Sequence, residues 1–132
     1  MKSLKSGKFT ELSWTNGSSW GRLSSDGYYE EYGRVDFPET KLTYTKVITF
    51  KIPYKNINYK VFSQVIEGGI YWALSQSNCR NRTVTGFTLE FYAADHNGSR
   101  AGNVLPHSYN WGTKGYVDLE DPVVKKFIEE HQ

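Results

Sequence analysis

Trp20-Gly21-Arg22-Leu23-Ser24-Ser25-Asp26-Gly27-Tyr28-Tyr29-Glu30-Glu31-Tyr32-Gly33 decides the fold class. Asp-Gly readily takes φ > 0, so Ser25-Asp26-Gly27 reads as a tight hairpin turn. Residues 19–24 form a strand before it. Residues 28–37 form a longer one after it, ended by Pro38 and Glu39. Side chains alternate across a strand, so Tyr28, Glu30 and Tyr32 share one face. Tyr29, Glu31, Gly33 and Val35 share the other.

Outward from this hairpin the same period continues. Residues 9–14 read as a first strand, closed by Asn16-Gly17. Residues 42–52 alternate, with Tyr44, Ile48, Phe50 and Ile52 on one face and Thr43, Thr45, Val47 and Thr49 on the other. Pro53 stops the pairing, Lys55-Asn56-Ile57-Asn58 bends the chain, and 59–66 return as a strand. Glu67-Gly68-Gly69 is a turn signal before a strand at 70–75. Residues 76–82 are polar and read as a loop. Thr85, Phe87, Leu89 and Phe91 mark the next strand, 94–108 read as a long surface loop, and 109–117 as the last strand. Asp121 is placed to cap a helix over 121–131, with Pro122 at its first position. Val123, Val124, Phe127 and Ile128 form its apolar face. Glu129 and Glu130 stand at the unfavourable end of its dipole. The prediction is an all-β chain, an antiparallel β-sandwich of about eight strands with one short C-terminal helix.

The 132 residues suit one domain, 1–132, with its core in 19–117. Aromatics make up 16%, which favours both strands and recognition surfaces. A net charge of +2 does not call for nucleic acid. No apolar run is long enough for a membrane span. Cys79 is the only cysteine, which excludes an internal disulfide and a cysteine-based zinc site.

The search for catalytic chemistry returns little. His96, His107 and His131 lack metal-ligand spacing, so neither a metal nor another cofactor is expected. Glu30 and Glu31 point to opposite faces and cannot by themselves be the paired carboxylates of a glycosidase. No Gly-x-Ser-x-Gly occurs. Cys79, beside Arg80 and Arg82, reads as an incidental thiol.

A binding surface remains. Tyr71 and Trp72 follow a Gly-Gly turn and face opposite ways, with one of them exposed. Asn78, Arg80, Asn81 and Arg82 follow. The long loop offers Asp95, His96, Asn97, Arg100, Asn103, His107 and Ser108, with Tyr109 at its edge. Aromatic platforms beside amide, guanidinium and carboxylate groups suit sugars, because rings cover C–H faces while polar groups read hydroxyls. Exposed loops are also polar for no functional reason. The receptor-contact candidates are therefore Trp72, Asn78, Arg80, Arg82, Asp95, His96, Asn97, Arg100, Asn103, His107 and Tyr109.

Four segments in order carry a family resemblance. The first is Trp20, Arg22, Leu23, Ser25, Asp26, Gly27, Tyr28, Glu30 and Gly33. Phe50, Ile52, Pro53, Tyr54, Asn58, Tyr59 and Val61 follow, then Thr83, Gly86 and Phe87, then Trp111, Gly115 and Tyr116. Over residues 19–117 the chain resembles the carboxy-terminal receptor-binding tip domain of bacteriophage tail fibres, also found in related tail-like bacteriocins. The resemblance implies a homotrimeric β-sandwich at the distal end of a fibre, and the lack of a plausible acid pair argues against enzymatic activity. It implies binding to a host cell-surface glycan, such as lipopolysaccharide, or to a surface protein. It implies a virion component made in the host cytoplasm. The matched residues read as scaffold: Trp20, Phe50, Phe87, Trp111 and Tyr116 are expected in the core, and Gly86 at a close packing contact. The long 94–108 loop and the terminal helix depart from the family pattern. A free-standing lectin-like module and a purely structural trimerisation or baseplate domain are the rival readings.

Overall fold

The computed structural model describes residues 9–37, 43–68, 74–94 and 107–132. Among the described residues eight strands and one helix follow in order: β1 Glu11–Asn16, β2 Ser19–Ser24, β3 Tyr28–Phe37, β4 Thr43–Thr49, β5 Lys60–Gly68, β6 Leu74–Thr83, β7 Gly86–Ala94, β8 His107–Tyr116 and α1 Pro122–His131. They form two antiparallel sheets, ordered β1-β2-β3-β8-β5 and β4-β7-β6. The arrangement is sandwich-like, as the alternation predicts.

The Asp-Gly turn forms as expected. Gly27 has φ +95° and the Asp26 Oδ1 atom accepts from the Tyr28 amide at 3.0 Å. The period of two then sorts each strand. Leu23, Tyr29, Val35, Tyr109 and Trp111 point inward from the five-stranded sheet, and Ile48, Phe87 and Leu89 inward from the other. Between the sheets runs the segment 50–59. Phe50 and Tyr54 donate their amides to the Thr85 and Val84 carbonyls, and Lys55 donates to the Tyr116 carbonyl. This strap inserts Phe50, Ile52, Tyr54 and Tyr59 into the core. Phe50 is its hub, 5.1–6.3 Å from the rings of Tyr54, Tyr59, Phe87 and Trp111. Such edge-to-face and tilted contacts add to what burial alone contributes.

The helix starts where Asp121 and Pro122 predict. The Asp121 side chain accepts from the Val123 amide at 2.8 Å. Val124, Phe127 and Ile128 are buried, so docking compensates for its short length. Val123 is exposed, because the buried stripe follows the spacing 124, 127, 128.

Other expectations need correction. Residues 76–82 are not a loop: they lie in β6, the outermost described strand of the three-stranded sheet. An edge strand is solvated, and its polar composition imitates a loop. The irregularity is confined to a register shift between Arg80 and Thr83, where Asn81 takes φ 53°. Trp20 is 39% exposed and Tyr116 55%, so neither belongs to the core. Both alternate with inward neighbours, Gly21 and Gly115, and therefore stand on the outer face. The paired strand β4 ends at Thr49, and Phe50 and Ile52 reach the core from the strap. The last strand begins earlier than expected, at His107.

Candidate functional site

The expected contact residues are dispersed. Trp72, Asp95, His96, Asn97, Arg100 and Asn103 lie outside the described residues, as does Tyr71. Asn78 and His107 are placed by backbone only, Asn78 opposite Glu90 and His107 opposite Phe37 and Gly68. Arg80 is exposed and pairs with Glu90 at 3.1 Å. Arg82 serves the fold: its guanidinium covers the Tyr59 ring at 4.5 Å and donates to the Tyr59 carbonyl. Tyr109 is 3% exposed and sits in the core, so its ring offers no surface to a ligand. Cys79 is partly buried beside the core, and burial pushes its thiol up against the opposing pull of Arg82.

The five-stranded sheet builds a surface that these candidates do not include. Trp20, Tyr32, Gly112 and Phe62 lie in one cross-strand row, by the pairs Trp20↔Tyr32, Tyr32↔Gly112 and Phe62↔Gly112. The Tyr32 ring lies across Gly112, where a Cβ would fall inside van der Waals contact of it. Trp20 stacks on Tyr32 with centroids 4.5 Å apart and planes at 27°. Phe62, 49% exposed, stands on the far side of Gly112. Two depressions open on the Asn110 side of the row. One of about 440 Å³ is lined by Tyr32, Phe62, Ser63, Asn110, Trp111 and Gly112. The other, of about 220 Å³, is lined by Ser18, Trp20, Tyr32, Gly33, Asn110 and Trp111. Asn110, Tyr32 and Trp111 belong to both.

The next row carries charge. Arg22 reaches Glu11 at 2.9 Å and Glu30 at 2.6 Å. Tyr32 donates its hydroxyl to the Glu30 carboxylate at 2.5 Å. Burial opposes ionisation of Glu30, but the Tyr32 and Arg22 hydrogen bonds hold its carboxyl below the usual carboxylate range. The Lys114 ammonium stands 5.6 Å from the Phe62 ring centre. Tyr28 and Tyr116 meet edge-on one row further, at 5.2 Å. The signal for this surface is present in the sequence: Tyr28 and Tyr32 share the face of Glu30, opposite the face of Tyr29 and Val35.

The inner face holds a buried carboxylate. Glu31 is 3% exposed. It accepts from the Tyr29 hydroxyl and the Lys51 amide, each at 2.8 Å, and Tyr29 accepts in turn from the Trp14 indole at 2.9 Å. Burial pushes the Glu31 carboxyl up to about 7 although both hydrogen bonds favour its charged form. Strongly shifted groups concentrate at active sites. This one is enclosed by core side chains, and Glu30 is on the other side of the sheet, so the two carboxylates do not converge on a substrate. Among the described residues no group of His, Cys, Asp or Glu is arranged to hold a metal, and no helix is long and apolar enough to cross a membrane.

In fold, this sandwich of one five-stranded and one three-stranded sheet is similar to solved tail fibres. A C-terminal fragment of the R1 pyocin fibre of P. aeruginosa superposes with a TM-score of 0.55, at 11% identity, over 82% of this chain and 28% of that one. The corresponding R2 pyocin fibre fragment gives 0.54 at 15% identity, over 81% and 26%. An N-truncated R1-type pyocin tail fibre gives 0.55 at 11% identity, over 82% and 87%. The chain thus spans roughly a quarter of the longer fibre fragments and most of the truncated one. At these identities the likeness is one of fold, and it falls on the class of proteins that the sequence motifs resemble. No protein-family model and no curated protein matches the sequence.

Proposed function

We propose that this chain is a non-enzymatic tail-fibre tip domain. It assembles as a homotrimer and attaches a virion to a glycan or protein of the host cell surface. The fold likeness to pyocin tail fibres carries this reading, since it agrees with four motif segments read independently from the sequence. The aromatic outer face supports an adhesive role, because Trp, Tyr and Arg dominate recognition surfaces. Asp95, His96, Asn97, Arg100 and Asn103, which precede β8 in the sequence, are proposed as further contacts. The scattered carboxylates support a role without catalysis.

Sedimentation equilibrium of the purified chain tests the assembly: the expected mass is that of three chains of 15.2 kDa. A monomer at high concentration would remove the trimer from the reading. Labelled protein should coat intact bacteria of a susceptible strain without releasing reducing sugar ends from their surface polysaccharide. A free-standing lectin-like module is the alternative, favoured by the trough on the outer sheet face. It binds the same sugars as a monomer.

A further inference from the structure

The attachment reading leaves open what the outer sheet face receives. We propose that the trough beside Trp20, Tyr32 and Phe62 is a binding site for a neutral oligosaccharide, laid across the strands with Tyr32 and Phe62 as stacking walls and Asn110 as the hydroxyl reader. This inference rests on the attachment reading and deepens it.

Three observations carry the site. The first is shape. The Tyr32 ring lies across Gly112 and Phe62 stands on the far side of that glycine, so the missing side chain lets the two rings line one row. The larger depression, about 440 Å³, is shallow and open to solvent, so it would receive one face of a ligand rather than enclose it. The second depression adjoins it at Asn110 and Tyr32, giving two neighbouring subsites rather than one closed pocket. A linear chain of sugar rings fits that layout better than a compact ligand.

The second observation is preorganisation. The Tyr32 ring is braced from behind by Trp20 at 4.5 Å and pinned at its hydroxyl by Glu30 at 2.5 Å. A wall fixed before binding loses little entropy when a ligand arrives. Asn110, at the junction, is exposed, and among the described residues its amide makes no hydrogen bond. One amide both donates and accepts, which matches a pair of neighbouring hydroxyls.

The third observation is charge. The described residues that line both depressions are uncharged, and Arg34, opposite Asn110 on the trough's own side, pairs with Asp36 at 3.0 Å. The charged row of Arg22, Glu30, Lys114 and Lys60 lies on the other side of the aromatic row. A flat protein partner is met by protruding anchors, whereas here two rings bound a depression. Both features select an uncharged, amphipathic chain.

The test is a printed array of neutral hexose oligosaccharides and acidic oligosaccharides, probed with the full chain. Wild type is expected to bind neutral members. Tyr32→Ala and Phe62→Ala should each weaken that binding about tenfold, as for loss of a central aromatic anchor. Asn110→Ala should weaken it several-fold. Tyr116→Ala, on the same face but outside the trough, should leave it unchanged. Phe62 is half-exposed on β5, so its variant keeps the test valid if Tyr32→Ala fails to fold. Tryptophan fluorescence should also change when a bound oligosaccharide is added free, since Trp20 stacks on a trough wall. Undiminished binding by folded Phe62→Ala and Asn110→Ala, or binding confined to acidic members, overturns the proposal. So does a trimer that falls apart on Phe62→Ala, which would mark the trough as a seam between copies. If wild type coats cells but binds no oligosaccharide, this inference falls while the attachment reading stands. If it binds neither, both fall.

Discussion

The two faces of the five-stranded sheet use one device for opposite ends. At the pair Gly33↔Trp111 the aromatic ring lies over the glycine on the inner face. At the adjacent pair Tyr32↔Gly112 the roles of the strands are exchanged and the ring lies over the glycine on the outer face. In each case a missing side chain lets a large ring lie flat against backbone. Inside, the ring meets Phe50 and Phe87 and becomes core. Outside, it meets Trp20 and a depression and becomes a wall. The difference lies in which sheet face is covered by the strap and the second sheet, and not in the residues themselves.

Truncation should separate the faces most sharply. Trp111→Ala removes a buried indole between Phe50 and Phe87, and is expected to cost about 3–5 kcal/mol. Tyr32→Ala removes one stacking contact and one hydrogen bond at a half-exposed ring, and is expected to cost about 1 kcal/mol. Urea unfolding of the two variants measures this directly. Equal costs would mean that the outer row is covered in solution, as a subunit interface would cover it.

The adjacent glutamates should divide in the same way on a pH axis. Glu31, inward, has a carboxyl raised from 4.5 to about 7, with burial as the main cause. The unfolded chain therefore gives up this proton first. The stabilisation is present below pH 4.5, and is lost as pH rises through about 7. The shift corresponds to about 3 kcal/mol between those limits. Glu30, outward, is held low, so its contribution is present above its unfolded value and lost as pH falls through the folded one. Glu31→Gln keeps an acceptor for Tyr29 and Lys51 but cannot ionise. Its unfolding free energy should gain on wild type between pH 4.5 and 8. If the two curves run parallel, the carboxylate is not charged at a cost in the folded state.

How much of this was legible follows from range. Local patterns reach local structure: Asp26-Gly27 marks the β2–β3 turn, Asp121-Pro122 marks the helix start, and alternation assigns Tyr29 and Glu31 to one face. Two kinds of feature escape such patterns. The polar strand β6 reads as a loop because an edge strand carries loop-like residues, and the pairing of Arg80 with Thr88 that makes it a strand is tertiary. The trough depends on Tyr32 meeting Gly112, 80 positions away, and Phe62 meeting the same glycine. No spacing along the chain announces that register. Trp20 fails for a related reason: aromatic content signals burial only when the covered face is known. Arg82 shows the converse error, since a guanidinium in a polar run is spent on the Tyr59 ring and carbonyl rather than offered to a partner.

The smallest expected difference probes the glycines. A Cβ at Gly33 would stand 2.6 Å from the Trp111 indole, which is enclosed by the core and has no room to retreat. Gly33→Ala should therefore cost about 1–3 kcal/mol, as other overpacked cores do. A Cβ at Gly112 would also strike a ring, but Tyr32 can swing toward solvent. Gly112→Ala should cost less than about 1 kcal/mol. That swing would break the Trp20 stack and displace the Tyr32 wall of the trough. Gly112→Ala should thus lose oligosaccharide binding while keeping most of its stability, whereas Gly33→Ala, whose added methyl meets the core-facing Trp111 ring, should lose mainly stability. A Gly112→Ala chain that retains full binding would separate the glycine from the ligand site and return it to the fold alone.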